Sequence, residues 1–371
     1  MPKKGKPLKS KGTQKTPLSP SPSNAKNKRP LPSSKQPSTS KKFQFLKGFK
    51  SMKVIFSLLA ILLMILGFLA AGVAYWYQHP QKNVSEVVII DKRASLSQIT
   101  LTLTQHHLLD FPFLFKGILL GTGQWRDLKA GEYLIPSGIT PAQLIHILRS
   151  GNVILHPVTL IEGETSHHLM QKLQESSHFQ GICEVPPEGS LLPETYHFPR
   201  GTSCQKIVDR MQKAMQNALT SIWTTRAKDH PLRSPQDLLI LASIVEKETS
   251  LSQERPLVAA VFLNRLQQGM PLQADPTVIY AFTQGKDELG RDLNRQDLSV
   301  DSPYNTYRTL SLPPTPIANP GLASLKAVAN PAEVSYVYFV ANGSGGHIFA
   351  TTLQEHQKNH ADWRKIREKK E

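Results

Sequence analysis

Ser234-Pro-Gln-Asp-Leu-Leu-Ile-Leu-Ala-Ser-Ile-Val-Glu-Lys-Glu-Thr249 is the stretch on which the fold turns. It opens with an N-cap serine, a proline at the first helical position and an acid three residues after the cap, which together mark a helix start. Residues 238–245 are apolar nearly all round, so the helix they form has no solvated face and belongs inside a core. The stretch then ends on two acids, Glu246 and Glu248. Three, four, seven and eight residues before Glu248 stand Val245, Ile244, Leu241 and Ile240, whereas Glu246 follows Ser243, Ala242, Leu239 and Leu238. Glu248 therefore continues the larger apolar stripe. A carboxyl so placed has its ionised form destabilised, and the resulting rise in pKa suits a general acid. The plainer reading stands beside this one: two surface acids at a fraying helix end, with Lys247 and Arg255 as partners.

Working outward, a second helix spans about residues 253–268 and stops at Gly269. Beyond Met270 the chain turns to Pro- and Asn-rich loops: Leu272-Gln-Ala-Asp-Pro-Thr277, Ser302-Pro-Tyr-Asn-Thr-Tyr307 and Leu312-Pro-Pro-Thr-Pro-Ile-Ala-Asn-Pro-Gly321. Loops of this kind after a buried helix read as cleft walls. A helix over 322–329, a strand over 334–341, a Gly turn, a strand over 347–351 and a last helix through His360 complete this part. Upstream, 84–91 reads as a strand, a Ser-capped helix starts at Ser95, 111–120 is a second helix, 129–135 a strand and 140–148 a capped helix ending at Gly151. Residues 153–161 read as a strand, 166–173 as a helix, 191–199 as a loop or short strand, and 203–227 as a long amphipathic helix.

The charge is distributed unevenly. Fifteen Lys or Arg and no acid fall in residues 1–53, nearly the whole of the formal +16, so the rest of the chain is close to neutral. That argues against a nucleic-acid-binding domain. The basic segment is also rich in Pro, Ser, Gly and Thr, and so is expected to be a disordered tail. Residues 54–77 carry no charge over 24 positions, enough to cross a hydrocarbon core of about 30 Å. Tyr75, Trp76 and Tyr77 form an aromatic belt at one end; Lys47, Lys50 and Lys53 lie at the other. The positive-inside rule puts the tail in the cytoplasm and the bulk of the chain across the membrane, after a short linker over 78–84. The run is longer than a signal peptide's apolar core. The two cysteines, Cys183 and Cys204, then face an oxidising compartment, where a disulfide and two buried thiols are both open to them. His167 and His168 are adjacent and poorly placed to share a metal, and His347 reads as a packed or exposed strand histidine.

Several segments together resemble the MltG/YceG-like endolytic murein transglycosylase family. They are Ala242-Ser-Ile-Val-Glu-Lys-Glu-Thr249, Val261-Phe-Leu-Asn-Arg-Leu266, Leu272-Gln-Ala-Asp-Pro-Thr-Val-Ile-Tyr280, Tyr304-Asn-Thr-Tyr307, Leu312-Pro-Pro314, Ile317-Ala-Asn-Pro-Gly321 and Tyr338-Phe-Val-Ala-Asn-Gly-Ser-Gly-Gly-His-Ile-Phe349. Lys129-Ala-Gly-Glu-Tyr133, Ile161-Glu-Gly163 and Leu192-Pro-Glu-Thr-Tyr196 fit it more loosely. The likeness covers roughly 84–366 and is densest over 236–350; the long basic tail departs from it. The resemblance implies that the second acid of Glu-Lys-Glu, here Glu248, is the catalytic residue. It also implies cleavage between N-acetylmuramic acid and N-acetylglucosamine inside peptidoglycan strands, with the muramyl 6-hydroxyl attacking to leave a 1,6-anhydro end. One carboxylate then serves as acid and base, because the internal nucleophile replaces an activated water.

The expected fold is α+β: a basic tail (1–53), a transmembrane helix (54–77), a small LysM-like α+β module (84–157) and a YceG-like catalytic domain (158–366, core 234–350) built on a buried catalytic helix. Gln273, Asp275, Tyr304, Asn305, Tyr307 and Asn319 are the expected substrate contacts, since Tyr suits sugar stacking and amides suit sugar hydroxyls; the Asp-Pro and Asn-Pro pairs among them also read as turn punctuation. No metal, nucleotide or other cofactor is expected. The expected partners are peptidoglycan strands and peptidoglycan synthases, and the expected location is the inner membrane, single-pass, with the catalytic domain periplasmic. The alternatives are a lysozyme-like hydrolase using Glu248 with Glu246 or Asp275, and a catalytically silent wall-binding adaptor.

Overall fold

A computed structural model describes residues 45–80 and 84–368. The tail expected over 1–53 lies outside the described residues as far as residue 44; from residue 45 to 53 that expectation is corrected, since this stretch is helical and continuous with the apolar run. The expected linker lies outside the described residues at 81–83. The chain forms two units, Met1–Leu69 and Ala70–Glu371. In the first, the described element is the start of helix α1 (Phe45–Gln78), whose residues Met52–Gln78 are long and apolar enough to cross a membrane. They contain the expected span.

The second unit is mixed α+β. Its first part runs β1 (Glu86–Ile90), α2 (Leu96–Gln105), α3 (Pro112–Thr122), β2 (Gly131–Ile135) and α4 (Pro141–Ser150). The two strands pair antiparallel with Glu86 opposite Ile135. Ser95 with Gln98, and Thr140 with Gln143, form reciprocal capping boxes at the starts of α2 and α4, so each helix begins where its first orphan N–H groups find a partner. Val88, Leu103, Phe115, Leu119, Tyr133, Leu144 and Leu148 close a core to which Trp76, near the end of α1, also belongs.

A second core follows from β3 (Leu155–Thr159), α5 (Ser166–Glu175), β4 (Phe179–Gln180), β5 (Thr195–Pro199), β6 (Thr202–Ser203) and α6 (Cys204–Thr224). β3 pairs antiparallel with β5, and β4 parallel with β6. Leu169, Tyr196, Phe198, Ile207 and Met211 fill the space between them. β4 and β6 have two residues each, too short to leave an alternation in the sequence. Cys183 and Cys204 are joined by a disulfide, which decides between the two states open to them.

The third core is built around α7 (Pro235–Glu248). It packs on α6, α8 (Arg255–Gln267), α9 (Asp275–Thr283) and α10 (Leu322–Ala329). Every residue of α7 from Leu238 to Val245 is buried, as the continuous apolar run requires. The hairpin of β7 (Tyr338–Ala341) and β8 (His347–Ala350) then leads into α11 (Leu353–Glu368), which extends beyond the expected end at His360. One expectation is corrected here. Residues 272–277 read as loop, yet α9 begins at Asp275 with Pro276 in its first turn. Asp-Pro punctuates turns and helix starts alike, because proline's fixed φ and missing N–H suit both.

The disulfide closes a loop of 21 residues. Thermal melting of the full chain in detergent, with and without reductant, is expected to show a loss of about 2–4 kcal/mol on reduction.

Candidate active site

The geometry begins with the cap of α7. The Ser234 hydroxyl accepts the Asp237 N–H at 3.1 Å, and the Asp237 carboxylate accepts the Ser234 N–H at 3.0 Å. This sets the helix register, and the register puts Glu246 and Glu248 on different faces of the last turn. The Ser243 hydroxyl, buried in mid-helix, donates to Ile240 O at 2.7 Å and accepts the Ile317 N–H at 3.0 Å. It thus ties the 312–321 loop to α7.

The two acids have opposite environments. Glu246 has a side chain only 3% exposed and is fully partnered: Arg255 donates to it at 2.8 Å, and so does the Gly321 N–H. Arg255 also reaches Glu162 at 3.4 Å. Arg255 is thus the partner of Glu246 and not of Glu248, and Lys247 turns to the Gly163 carbonyl. Glu248 sits at the negative end of the helix, and among the described residues its carboxylate has no hydrogen-bond or ion-pair partner. Burial first, and then the negative charge of Asp275, push its pKa from 4.5 up to about 8 against the opposing charge of Arg265. The carboxyl is therefore protonated at neutral pH, although the residue keeps some solvent contact through the cleft that it lines.

That cleft is a hollow of about 350 Å³ lined by Glu248, Arg265, Leu272, Gln273, Asp275, Tyr307, Phe339, Val340, His356 and His360. Arg265 is buried and immobilised, donating to Val337 O and Leu272 O, each at 2.6 Å. Burial holds its pKa below the ordinary value, while Tyr338, Tyr307 and Glu248 favour its charge. Asp275 lies in the first turn of α9, where the helix end favours negative charge, and accepts a short hydrogen bond from the Tyr307 hydroxyl. Burial and that bond raise the pKa of the Tyr307 phenol, which stays a donor. Gln273 has φ +54, the left-handed region that costs a non-glycine residue about 1 kcal/mol or more. Its N–H donates to Thr306 O at 3.0 Å, the Ala274 N–H donates to the Thr306 hydroxyl at 3.0 Å, and that hydroxyl meets Thr277 Oγ1 at 2.8 Å. The 302–307 loop is thereby fastened to the start of α9.

Gln273, Asp275 and Tyr307 thus share the cleft with Glu248. The other three expected contacts do not. Asn305 is fully buried; its amide donates to Leu298 O at 2.9 Å and Val300 O at 2.8 Å and accepts the Tyr307 N–H, so it shapes the loop that carries Tyr307. Asn319 is also fully buried. It accepts the Leu191 N–H and donates to Glu164 O and Glu188, binding three segments together. Tyr304 packs on Tyr280 with ring centroids 5.0 Å apart and bonds Thr315 at 2.7 Å, away from the residues lining the cleft. Arg265, Phe339, His356 and His360 join the site from positions to which the sequence reading gave no role. Arg265 sits in the quoted Asn-Arg segment and was detectable as a charge among apolar helix neighbours; the two histidines, four apart on α11, carried no distinguishing pattern. His347 pairs with Glu254 at 2.7 Å and lines no part of the cleft.

These environments give a stability test. Glu246→Gln breaks a buried pair and leaves Arg255 only its longer contact with the half-exposed Glu162, so it should cost about 3 kcal/mol. Glu248→Gln should stabilise the fold, and its sign with pH is fixed. The native pKa of Glu248 lies above the unfolded one, so its contribution is undiminished below about pH 4.5 and is lost as pH rises towards about 8. Melting curves of wild type and Glu248→Gln should diverge across that window, the variant melting higher at the alkaline end.

Comparison with known proteins gives consistent results. A sequence profile of the YceG-like family matches residues 88–362. An endolytic murein transglycosylase of Bacillus subtilis is 40% identical over 48% of this chain and 49% of its own length. One from Streptococcus pneumoniae is 27% identical over 81% of this chain and 64% of its own length. The chain thus spans about half to under two thirds of these relatives. A crystal structure of a YceG-like protein from Listeria monocytogenes aligns over 74% of this chain and 98% of that one, at 28% identity and a TM-score of 0.45. With the profile covering most of its length, the chain belongs to the YceG-like family.

Proposed function

We propose that this protein is an endolytic lytic transglycosylase that cleaves the MurNAc–GlcNAc β-1,4 bond within peptidoglycan strands and leaves 1,6-anhydromuramyl ends. The observation that carries the reading is Glu248: a protonated carboxyl without a partner among the described residues, at the end of a rigid buried helix and open to a cleft. A carboxyl with a pKa near 8 donates a proton to a glycosidic oxygen at neutral pH. As the bond breaks, the carboxylate left behind is a base strong enough to take the proton of the muramyl 6-hydroxyl, and no water or second carboxylate is required. Arg265, fixed beside it, stabilises the transient Glu248 anion. Gln273, Asp275 and the Tyr307 hydroxyl line the same hollow and are the sugar contacts of this reading. The names of the murein transglycosylase relatives support the substrate class.

An endolytic enzyme needs room for sugar on both sides of the cut. A second hollow of about 530 Å³ includes Lys247, Pro276 and Tyr280 in its lining, and Lys247 and Pro276 are the chain neighbours of Glu248 and Asp275. The two hollows together form the strand groove. The part over 84–157 is the LysM-like wall-contacting module and 158–366 the catalytic domain. α1 anchors the chain in the cytoplasmic membrane with the catalytic domain outside, where it ends nascent strands beside the peptidoglycan synthases.

Mass spectrometry of purified peptidoglycan after digestion tests the chemistry. Anhydromuramyl ends are expected, and reducing ends carrying an added water would instead indicate a hydrolase. Glu248→Gln should slow the reaction by about a hundred- to ten-thousandfold. The wild-type rate should fall as pH rises through about 8, where the acid loses its proton.

A further inference from the structure

A second cluster of ionisable side chains lies far from the cleft in sequence and role. Glu132 projects from β2, His156 from β3, and His178 directly precedes β4. Their ligating atoms all fall within 4.8 Å of one another. His156 Nε2 meets Glu132 Oε2 at 2.6 Å, with side chains 14% and 11% exposed. The imidazoles of His156 and His178 lie face to face, with centroids 3.7 Å apart and planes 13° apart; His156 meets the carboxylate, and His178 stacks behind it. Backbone contacts hold the three positions: Ile154 N–H donates to Glu132 O, and Gly201 N–H to His178 O, each at 2.7 Å, while His156 stands opposite Phe198 in the β3–β5 pair. A cation already lodges there: the Arg200 guanidinium donates to His178 Nδ1 at 3.2 Å and lies 4.0 Å from the Glu132 carboxylate.

We propose that Glu132, His156 and His178 form a Zn²⁺ site that clamps the β1–α4 part of the molecule to the part that follows it. Two imidazoles and one carboxylate are a common zinc ligand set, leaving a fourth position for water. Around a tetrahedral ion with bonds of about 2.0–2.1 Å, ligand atoms lie about 3.3 Å apart, so the His156–Glu132 contact has to open slightly and the His178 ring has to turn out of its stack with His156 until the ion lies in both ring planes. Arg200 is the competitor. Its side chain is a third exposed and lines a cavity of about 630 Å³ with Gly131 and Gly201, which offers both a route for the ion and a space for the displaced guanidinium. The ligands join different cores: Glu132 pairs with β1 across the first sheet, while His156 lies on β3 and His178 just before β4, both around the second. Binding would therefore link the two.

The test is Zn²⁺ calorimetry and Co²⁺ absorption spectroscopy on the full chain in detergent, purified without a histidine tag. A single saturable ion per chain is expected, with the visible bands of a low-coordinate Co²⁺. His156→Ala and His178→Ala should weaken binding by more than about 100-fold, beyond the usual cost of changes outside the ligand set. His167→Ala should leave it unchanged. Arg200→Gln should tighten it by about tenfold by removing a like charge, a gain that unfolding cannot produce. Zn²⁺ should raise the melting temperature of the wild type and not that of His156→Ala. Absence of binding in the wild type, binding that survives loss of both histidines, or binding without a shift in melting would each overturn the proposal. None of these readouts depends on glycan cleavage.

Discussion

A helix with apolar residues on every side cannot end inside the core that it fills, because its last carbonyls need partners. α7 meets this constraint by running its final turn out through the wall of the core. The chemistry of that turn is then dictated by position. Whatever side chain continues the apolar stripe at the exit is desolvated by the residues behind it and exposed to the cleft ahead. Here it is Glu248. The loops that form the cleft are in turn fastened to α7 and its neighbours: Ile317 by Ser243, Gly321 by Glu246, and the 302–307 loop to α9 through Thr306 and Thr277.

The two acids of the last turn show how partners divide structure from chemistry. They are two residues apart, about 200° around the helix. One points to Arg255 and the Gly321 N–H and has its charge balanced by both; the other points to a space where the more distant charges of Arg265 and Asp275 reach it. A fully paired carboxylate has no lone pair or proton to spare for a substrate. An unpaired one keeps its proton because nothing compensates the charge it would otherwise carry. The same residue type therefore holds the wall on one face and offers a proton on the other.

How much of this was legible in the sequence depends on the range of each interaction. The course of α7, its cap and the preference for Glu248 over Glu246 could be read because helical periodicity and capping are local. The capped helices α2 and α4 are legible for the same reason. The plainer account of the two acids could not be removed from the sequence, since it turned on whether Arg255 reaches Glu246, Glu248 or neither, a contact nine residues away. The long-range pairings were less accessible still. Asn305 and Asn319 read as sugar ligands because an amide in a loop has the same composition whether it faces a cleft or is spent on buried carbonyls. Asp275-Pro276 read as a turn because helix starts use the same residues. Arg265, His356 and His360 join the cleft through tertiary placement of α8 and α11. Glu132, His156 and His178 share no short spacing, and only the pairing of strands brings them together.

The features that sequence rules handle worst are concentrated at one place. Glu248 is a carboxyl without a partner among the described residues, Gln273 holds a backbone conformation that its side chain disfavours, and Arg265 is a buried guanidinium whose charge burial opposes. Each is unfavourable alone, and such departures persist only where the surroundings over-determine them. The surroundings here are rigid: a helix buried along eight successive residues, and loops held by amides with every donor engaged. That rigidity gives the strained group a function. A desolvated carboxyl on a mobile loop would turn towards water or a nearby cation and recover an ordinary pKa. On the fixed end of α7 it cannot, so the same packing that makes Glu248 unfavourable for stability keeps it protonated and aimed into the cleft.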